Sequence, residues 1–162
     1  MSIRTSTKYI VLHCSATRAK LAVTAAQIRE WHKAQGWTDI GYHYVIRRDG
    51  KVEAGRAENA VGAHVGGHNS NTLAICLVGG LNDATGRPED NFTDAQKAAA
   101  VKLVRELLTR YPGALILGHR DLSPDKDKDG VVEPGEWLKM CPCFDARSFA
   151  KAHGLPPAPV RL

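Results

Sequence analysis

No apolar run in this chain approaches the ~18 residues that carry a helix across a bilayer. The longest runs, YIVLHC, LAICLV and ALILG, are of strand length, so no membrane insertion is expected. An export signal is missing as well: MSIRTSTKYIVLH holds basic residues but no sustained apolar segment followed by a small-residue cleavage site. The expected location is the cytoplasm in which the chain is made, until something else releases it. Cysteine is sparse, at four residues, and without an export signal reduced thiols or metal ligation are a better expectation than disulfides. Length is limited too. At 162 residues there is enough chain for one domain with a real core and too little for a comfortable pair, so a single domain over 1–162 is expected.

What is present is ordinary globular material, 43% hydrophobic and 24% charged. A net charge of +5 favours an anionic partner, whether nucleic acid, a membrane surface or a polyanionic wall, and does not choose among them. Cys14 and Cys76 lie inside apolar runs and read as small buried hydrophobes. Cys141 and Cys143, in CPCF, are one residue apart around a proline. They are badly placed to bond each other and well placed to offer one thiolate to a metal.

Tyr9 to Cys14 reads as a buried strand ending on His13 and Cys14. Thr24 and Gln27 form a capping-box signature ahead of a helix in which Ile28, Trp31 and His32 share a face, stopped by Gly36. YHYVIRRDGKVEAG reads as a hairpin turning at Asp49 and Gly50. Residues 72 to 78 form the next strand, closed by Gly79 and Gly80 and followed by the polar loop LNDATGRPEDN. Thr93 and Gln96 make a second capping box before a helix carrying Val101, Val104, Leu107 and Leu108 at helical spacing, ended by Pro112 and Gly113. A buried strand over 114 to 118 runs into His119. A short helix from Asp145 ends near His153, before an extended tail. Strands interleaved with helices predict an α/β fold, a central mixed β-sheet flanked by helices.

The stretch DKDKDGVVEPGE, residues 125–136, fits the twelve-residue loop of the EF-hand at each constrained position. Asp125, Asp127 and Asp129 fill positions one, three and five, and Gly130 supplies the sharp turn. Val131 offers its backbone carbonyl, Glu133 can hold a water, and Glu136 can bind bidentately. Calcium takes about six to eight hard oxygen ligands, and without a cation these carboxylates would repel one another. The flanks are not those of a helix pair. Pro124 directly precedes Asp125, and Glu136 to Met140 leaves room for only one turn, so a lone Ca²⁺-binding insertion is expected rather than a paired sensor.

With that loop set aside, His119 and Cys141 become neighbours in the chain, and His13 could join them as two imidazoles and one thiolate around zinc with an open fourth position. Spacing leaves this open, because any one of seven histidines is more often structural than a ligand.

VLHCSAT, EWHKAQGW, GYHYVIRRDGKVEAGR, AVGAHVGGHNSNT, ICLVGG, GHRDLSP and KMCPCFD, in this order, resemble the phage lysozyme-type N-acetylmuramoyl-L-alanine amidases, relatives of the animal peptidoglycan recognition proteins. The resemblance runs from about Tyr9 to Phe149. It implies a Zn²⁺ ion at one end of the sheet held by His13, His119 and Cys141. Cys143, where the phage pattern carries a small polar residue, is the alternative thiolate. The resemblance also implies Tyr42 and Lys139 as catalytic groups, a phenol and an ammonium aimed at a tetrahedral oxyanion or at the attacking water. His64 is implied as a contact to the muramyl peptide. The implied reaction is hydrolysis of the amide between N-acetylmuramic acid and L-alanine of peptidoglycan, by a monomeric phage or prophage endolysin that needs no nucleic acid and leaves the host cytoplasm through a membrane lesion.

Glu136 lies three residues before Lys139 and five before Cys141, so calcium at the loop is expected either to order the zinc site or only to brace it. Rival readings are a non-catalytic peptidoglycan-binding protein, against which the intact Cys141 argues, a polymerase-inhibiting regulator on the same fold, and a calcium sensor with structural zinc.

Overall fold

The computed structural model describes residues 2–162. Ten regular elements follow one another: β1 (Tyr9–Cys14), β2 (Thr17–Arg18), α1 (Ala25–Ala34), β3 (Tyr44–Ile46), β4 (Val52–Ala54), β5 (Thr72–Leu77), β6 (Gly80–Leu81), α2 (Asp94–Arg110), β7 (Leu115–Gly118) and α3 (Ala146–Ala152). Short 3₁₀ turns cover Asn69–Asn71, His119–Leu122 and Pro134–Glu136. The main sheet has five strands in the order β4-β3-β5-β1-β7. β3, β5, β1 and β7 run parallel and β4 pairs antiparallel with β3, so the sheet is mixed, as expected. No helix is long and apolar enough to cross a membrane among the described residues.

β1 and β5 are buried at every position, because central parallel strands are covered on both faces. Alternation then sorts their side chains. Ile10, Leu12, Leu73, Ile75 and Leu77 point to one face, where α2 packs Val101, Leu103, Val104 and Leu107, and α3 packs Ala146 and Ala150. Val45 and Cys76 point to the other, where α1 packs Ala25 and Ile28, and Val11 and Leu117 join Val65 and Leu122 there. Of Ile28, Trp31 and His32, expected to share a face of α1, only Ile28 is fully covered, and Trp31 is 39% exposed.

Both N-caps form, but only the second is a full capping box. Thr24 caps α1 by accepting from the Gln27 N–H, and Thr93 and Gln96 cap α2 reciprocally. Gln96 goes further: fully buried, its amide donates to the carbonyls of Ile46 and Val78, tying α2 to the ends of β3 and β5. Asp145 caps α3 as expected. Pairing of β2 with β6 had no signal in the sequence; it claims residues expected to close a strand and open a polar loop. The tail is extended and also bonds, with Ala158 N–H donating to the Ile116 carbonyl at 2.7 Å.

Candidate metal centre and active site

Strand register brings the histidines together. Val11 pairs with Leu117 and Leu12 with Gly118, so the next step sets His13 beside His119 across two parallel strands. Both follow the alternation of Val11 and Leu117 and so stand on the same face of the sheet, at the carboxyl ends where α/β folds place their ligands. Their ring centroids are 4.8 Å apart, about one strand spacing. His119 opens a 3₁₀ turn closed by Asp121, whose carboxylate accepts from Gly118 N–H at 2.7 Å and from Arg147 at 2.8 Å.

Cys141 reaches this edge from the far side of the acidic loop. Its carbonyl accepts from Arg120 N–H at 2.9 Å, and its Sγ accepts from Cys14 N–H at 3.2 Å. Pro142 lies against Gly118 so closely that a Cβ there would meet Pro142 Cδ at 2.7 Å, so only glycine lets the segment approach β7. Ligand atoms of His13, His119 and Cys141 consequently lie within 4.8 Å of one another. Cys143 is not in this group. Its Sγ stands 3.7 Å from Cys14 Sγ, and the two thiols act on each other in opposite directions: hydrogen bonding with Cys141 pushes Cys14 up to about 12 against a lowering by Cys143, while the Cys14 thiol raises Cys143. Cys14, expected to be a small buried hydrophobe, is buried, and its N–H joins it to the site through Cys141 while its thiol faces Cys143.

Burial pushes the imidazoles of His13 and His64 well below the ordinary histidine range and takes His119 down to about 4. The charge of the exposed Lys139 ammonium acts in the same direction on His13 and His119. The rings are therefore neutral near pH 7, with lone pairs to offer a metal. Tyr42 tilts over His13 at 5.1 Å between centroids, and desolvation raises its phenol, which stays an O–H donor. A cleft of about 350 Å³ opens beside His119, lined by Val65, His68, Leu122, Ser123 and Leu138 among others.

His64, expected to contact substrate, is only 9% exposed. One ring nitrogen lies 3.0 Å from His13 Nε2 and the other 3.2 Å from Thr72 Oγ1, which leaves neither for a substrate. Thr72 went unremarked in the sequence, where a threonine opening a strand carries no sign of such a contact.

In the acidic loop, carboxylate oxygens of Asp125, Asp127 and Glu136 converge to within 4.8 Å. Asp129 and Glu133 stand outside that group and are exposed. Asp129 Oδ1 instead accepts from Val131 N–H at 2.7 Å. The loop is folded on its own backbone: Asp125 accepts from Lys128 and Gly130, and Glu136 from Lys126 and Glu133. Its one 3₁₀ turn covers Pro134–Glu136, earlier than the turn expected after Glu136. Beyond it, Arg120 stacks on Trp137 at 3.9 Å and Leu138 N–H donates to Ser123 Oγ at 3.1 Å, joining the loop's exit to the turn that carries His119.

Fold and side chains together define an α/β protein with a histidine and cysteine cluster at the carboxyl edge of its sheet. The chain belongs to the N-acetylmuramoyl-L-alanine amidase family, which it matches over residues 4–136, a span that holds both histidines and ends short of Lys139 and Cys141. It is 49% identical over 146 residues to the endolysin of Klebsiella phage KP32, covering 90% of this chain and 87% of that one. To the endolysin of Escherichia phage T7 it is 44% identical over 146 residues, with coverage of 90% and 87%. Among solved structures it is similar to the endolysin N-acetylmuramoyl-L-alanine amidase LysCS from Clostridium intestinale, with a TM-score of 0.73 and 28% identity over 95% of this chain and 88% of that chain.

Proposed function

We propose that this protein is a zinc-dependent peptidoglycan hydrolase that cleaves the amide between the lactyl carboxyl of N-acetylmuramic acid and the L-alanine of the stem peptide. The observation that carries this reading is the convergence of His13, His119 and Cys141 to within 4.8 Å at the sheet edge. Two neutral imidazoles and a thiolate suit a borderline-soft ion that takes three protein ligands and leaves one position open. Zinc in that place supplies Lewis acidity at a carbonyl oxygen and a water with its pKa lowered toward ~7.

The chain's own groups account for the remaining steps. Tyr42, kept protonated by desolvation, donates its O–H toward the scissile oxygen as negative charge develops there. Lys139 brings a positive charge to the same side of the cluster. The cleft beside His119 takes the stem peptide, with Val65, Leu122 and Leu138 as apolar wall and His68 and Ser123 as polar contacts. The endolysin relatives support a phage or prophage setting, in which a monomer is made in the host cytoplasm and acts on the wall after release. The net charge of +5 favours adsorption to an anionic wall.

The same proposal extends to calcium at 125–136. It is supported by the convergence of Asp125, Asp127 and Glu136 and by the Trp137 and Leu138 contacts that tie the loop to the His119 turn. Ordering of the loop would then steady Lys139 and Cys141.

Purified peptidoglycan digested with the zinc-loaded protein tests the reaction. New free amino groups without new reducing sugars are expected. New reducing ends in place of amines, or no release by a folded and zinc-loaded protein, would overturn the proposal.

A further inference from the structure

A metal at the candidate centre needs a bare lone pair on the His13 nitrogen that faces Cys141. That nitrogen is Nδ1, 3.6 Å from Cys141 Sγ, while Nε2 lies 3.0 Å from His64 Nδ1. Where the His13 proton sits follows from a chain of partners that begins on β5. Thr72 Oγ1 is 2.7 Å from the His68 carbonyl, which can only accept, so the single hydroxyl proton points there. The same oxygen is 3.2 Å from His64 Nε2 and, with its proton committed, can only accept from it. His64 therefore carries its proton on Nε2. A neutral imidazole has one N–H, so His64 Nδ1 is an acceptor and the His13 Nε2 facing it is the donor. Nδ1 of His13 is left bare and turned toward Cys141.

We infer that Thr72 and His64 form a positioning relay that sets the tautomer and ring orientation of His13, holding its Nδ1 lone pair at the metal position. The inference rests on the zinc reading proposed above. Neither residue touches the metal position through this chain; each acts through His13.

The relay is built into the packing. His13 and Thr72 are fully buried and His64 nearly so, so no water competes for these bonds, and a misplaced proton would leave buried groups facing each other unpaired. The His64 ring fits because residue 62 is glycine: a Cβ there would come within 2.6 Å of His64 Cδ2. Its backbone is held by Asn69, whose Oδ1 accepts from the N–H groups of His64 and Val65 at 2.8 and 2.9 Å. His43, the other buried imidazole nearby, is closed on the backbone, accepting from Ala74 N–H and donating to the Ala60 carbonyl, and takes no part.

The test reads histidine tautomers by long-range ¹H–¹⁵N correlation in the metal-free protein, and zinc affinity by competition with a chromophoric chelator. Wild type is expected to show His13 protonated on Nε2. His64→Gln keeps an oxygen to accept from His13 and an amide to donate to Thr72, and Thr72→Ser keeps the hydroxyl; both should hold the tautomer and bind zinc within about threefold of wild type. His64→Phe and Thr72→Val break the chain and should mix the His13 tautomers and weaken zinc by about 10- to 100-fold. Thr72→Val preserves volume, so it carries the test if His64→Phe does not fold. Wild-type His13 protonated on Nδ1, or equal zinc affinity in the Gln and Phe variants, overturns the relay. A folded wild type that takes up no zinc overturns the metal reading itself, an outcome distinct from zinc binding that is indifferent to His64.

Discussion

His13 and His119 stand on adjacent strands with the whole sheet behind them, whereas Asp125, Asp127 and Glu136 hang on a loop whose carboxylates turn back onto their own N–H groups. The two donor sets are opposite in construction. The imidazoles are desolvated and so held neutral, and their partners are side chains drawn from distant elements. Of the carboxylates, Asp127 is exposed, Asp125 half-buried and Glu136 buried, and their partners are backbone N–H groups of the same loop. A soft, desolvated set is suited to a resident ion on which chemistry depends. A hard and locally folded set is suited to an ion that comes and goes with its concentration.

The sharpest way to break this contrast is to remove the thiolate. Cys141→Ser should lower amine release from peptidoglycan by on the order of 10³-fold while the fold survives, since zinc would lose its softest ligand. Full activity in that variant would mean that the sheet-edge cluster is not the reaction centre.

Calcium should act next most strongly. At a hundredfold excess over its dissociation constant it should add about 2.7 kcal/mol to unfolding stability, an effect that Glu136→Gln abolishes. Activity after EGTA treatment, with zinc buffered, separates the two roles of the loop. A severalfold loss marks ordering of Lys139 and Cys141, and unchanged activity marks a brace alone.

Acid should distinguish the regions by pH window. Burial takes His43 from the ordinary 6.5 down to about 4, so the unfolded chain binds the proton more readily between those values. Its contribution is complete above the unfolded value and is lost as pH falls through the folded one. Urea unfolding of the metal-free protein should therefore show about 2 kcal/mol less stability at pH 5 than at pH 7 from this residue. Glu136, held below its ordinary 4.5 by the backbone N–H groups of Glu133 and Lys126, contributes above that value and is lost only at lower pH. Loss of loop structure before loss of sheet stability would contradict this order. The smallest effect belongs to Cys143→Ser: activity and zinc affinity should stay within about twofold of wild type, because that thiol faces Cys14 and not the histidines.

The helices, the hairpin and the central strands were legible because their causes are local. Thr24 with Gln27, Thr93 with Gln96, and Asp49 with Gly50 each act within one turn of chain, and YIVLHC is apolar at nearly every position because both of its faces are covered. The zinc candidates were legible only through resemblance, since nothing local marks His13 and His119 out from the other histidines. Which of Ile28, Trp31 and His32 is covered was not legible, because periodicity shows which residues share a face and not how wide the covering layer is. His64 was assigned through resemblance alone, and nothing in the sequence showed its surroundings: the glycine at 62 makes room for its ring to turn toward His13.

By itself, then, the sequence determined the inventory: the capped helices, the buried strands, a loop of spaced carboxylates and the side chains able to hold a soft ion. These follow from hydrogen bonds and apolar periodicity that reach only a few residues along the chain. Only the tertiary structure decided which of those side chains meet. Cys141 comes to His13 across 128 positions, β2 finds β6, and Thr72 reaches His13 through His64. Such contacts depend on strand register and on the space left by a missing Cβ, and neither is defined until the sheet has closed around them.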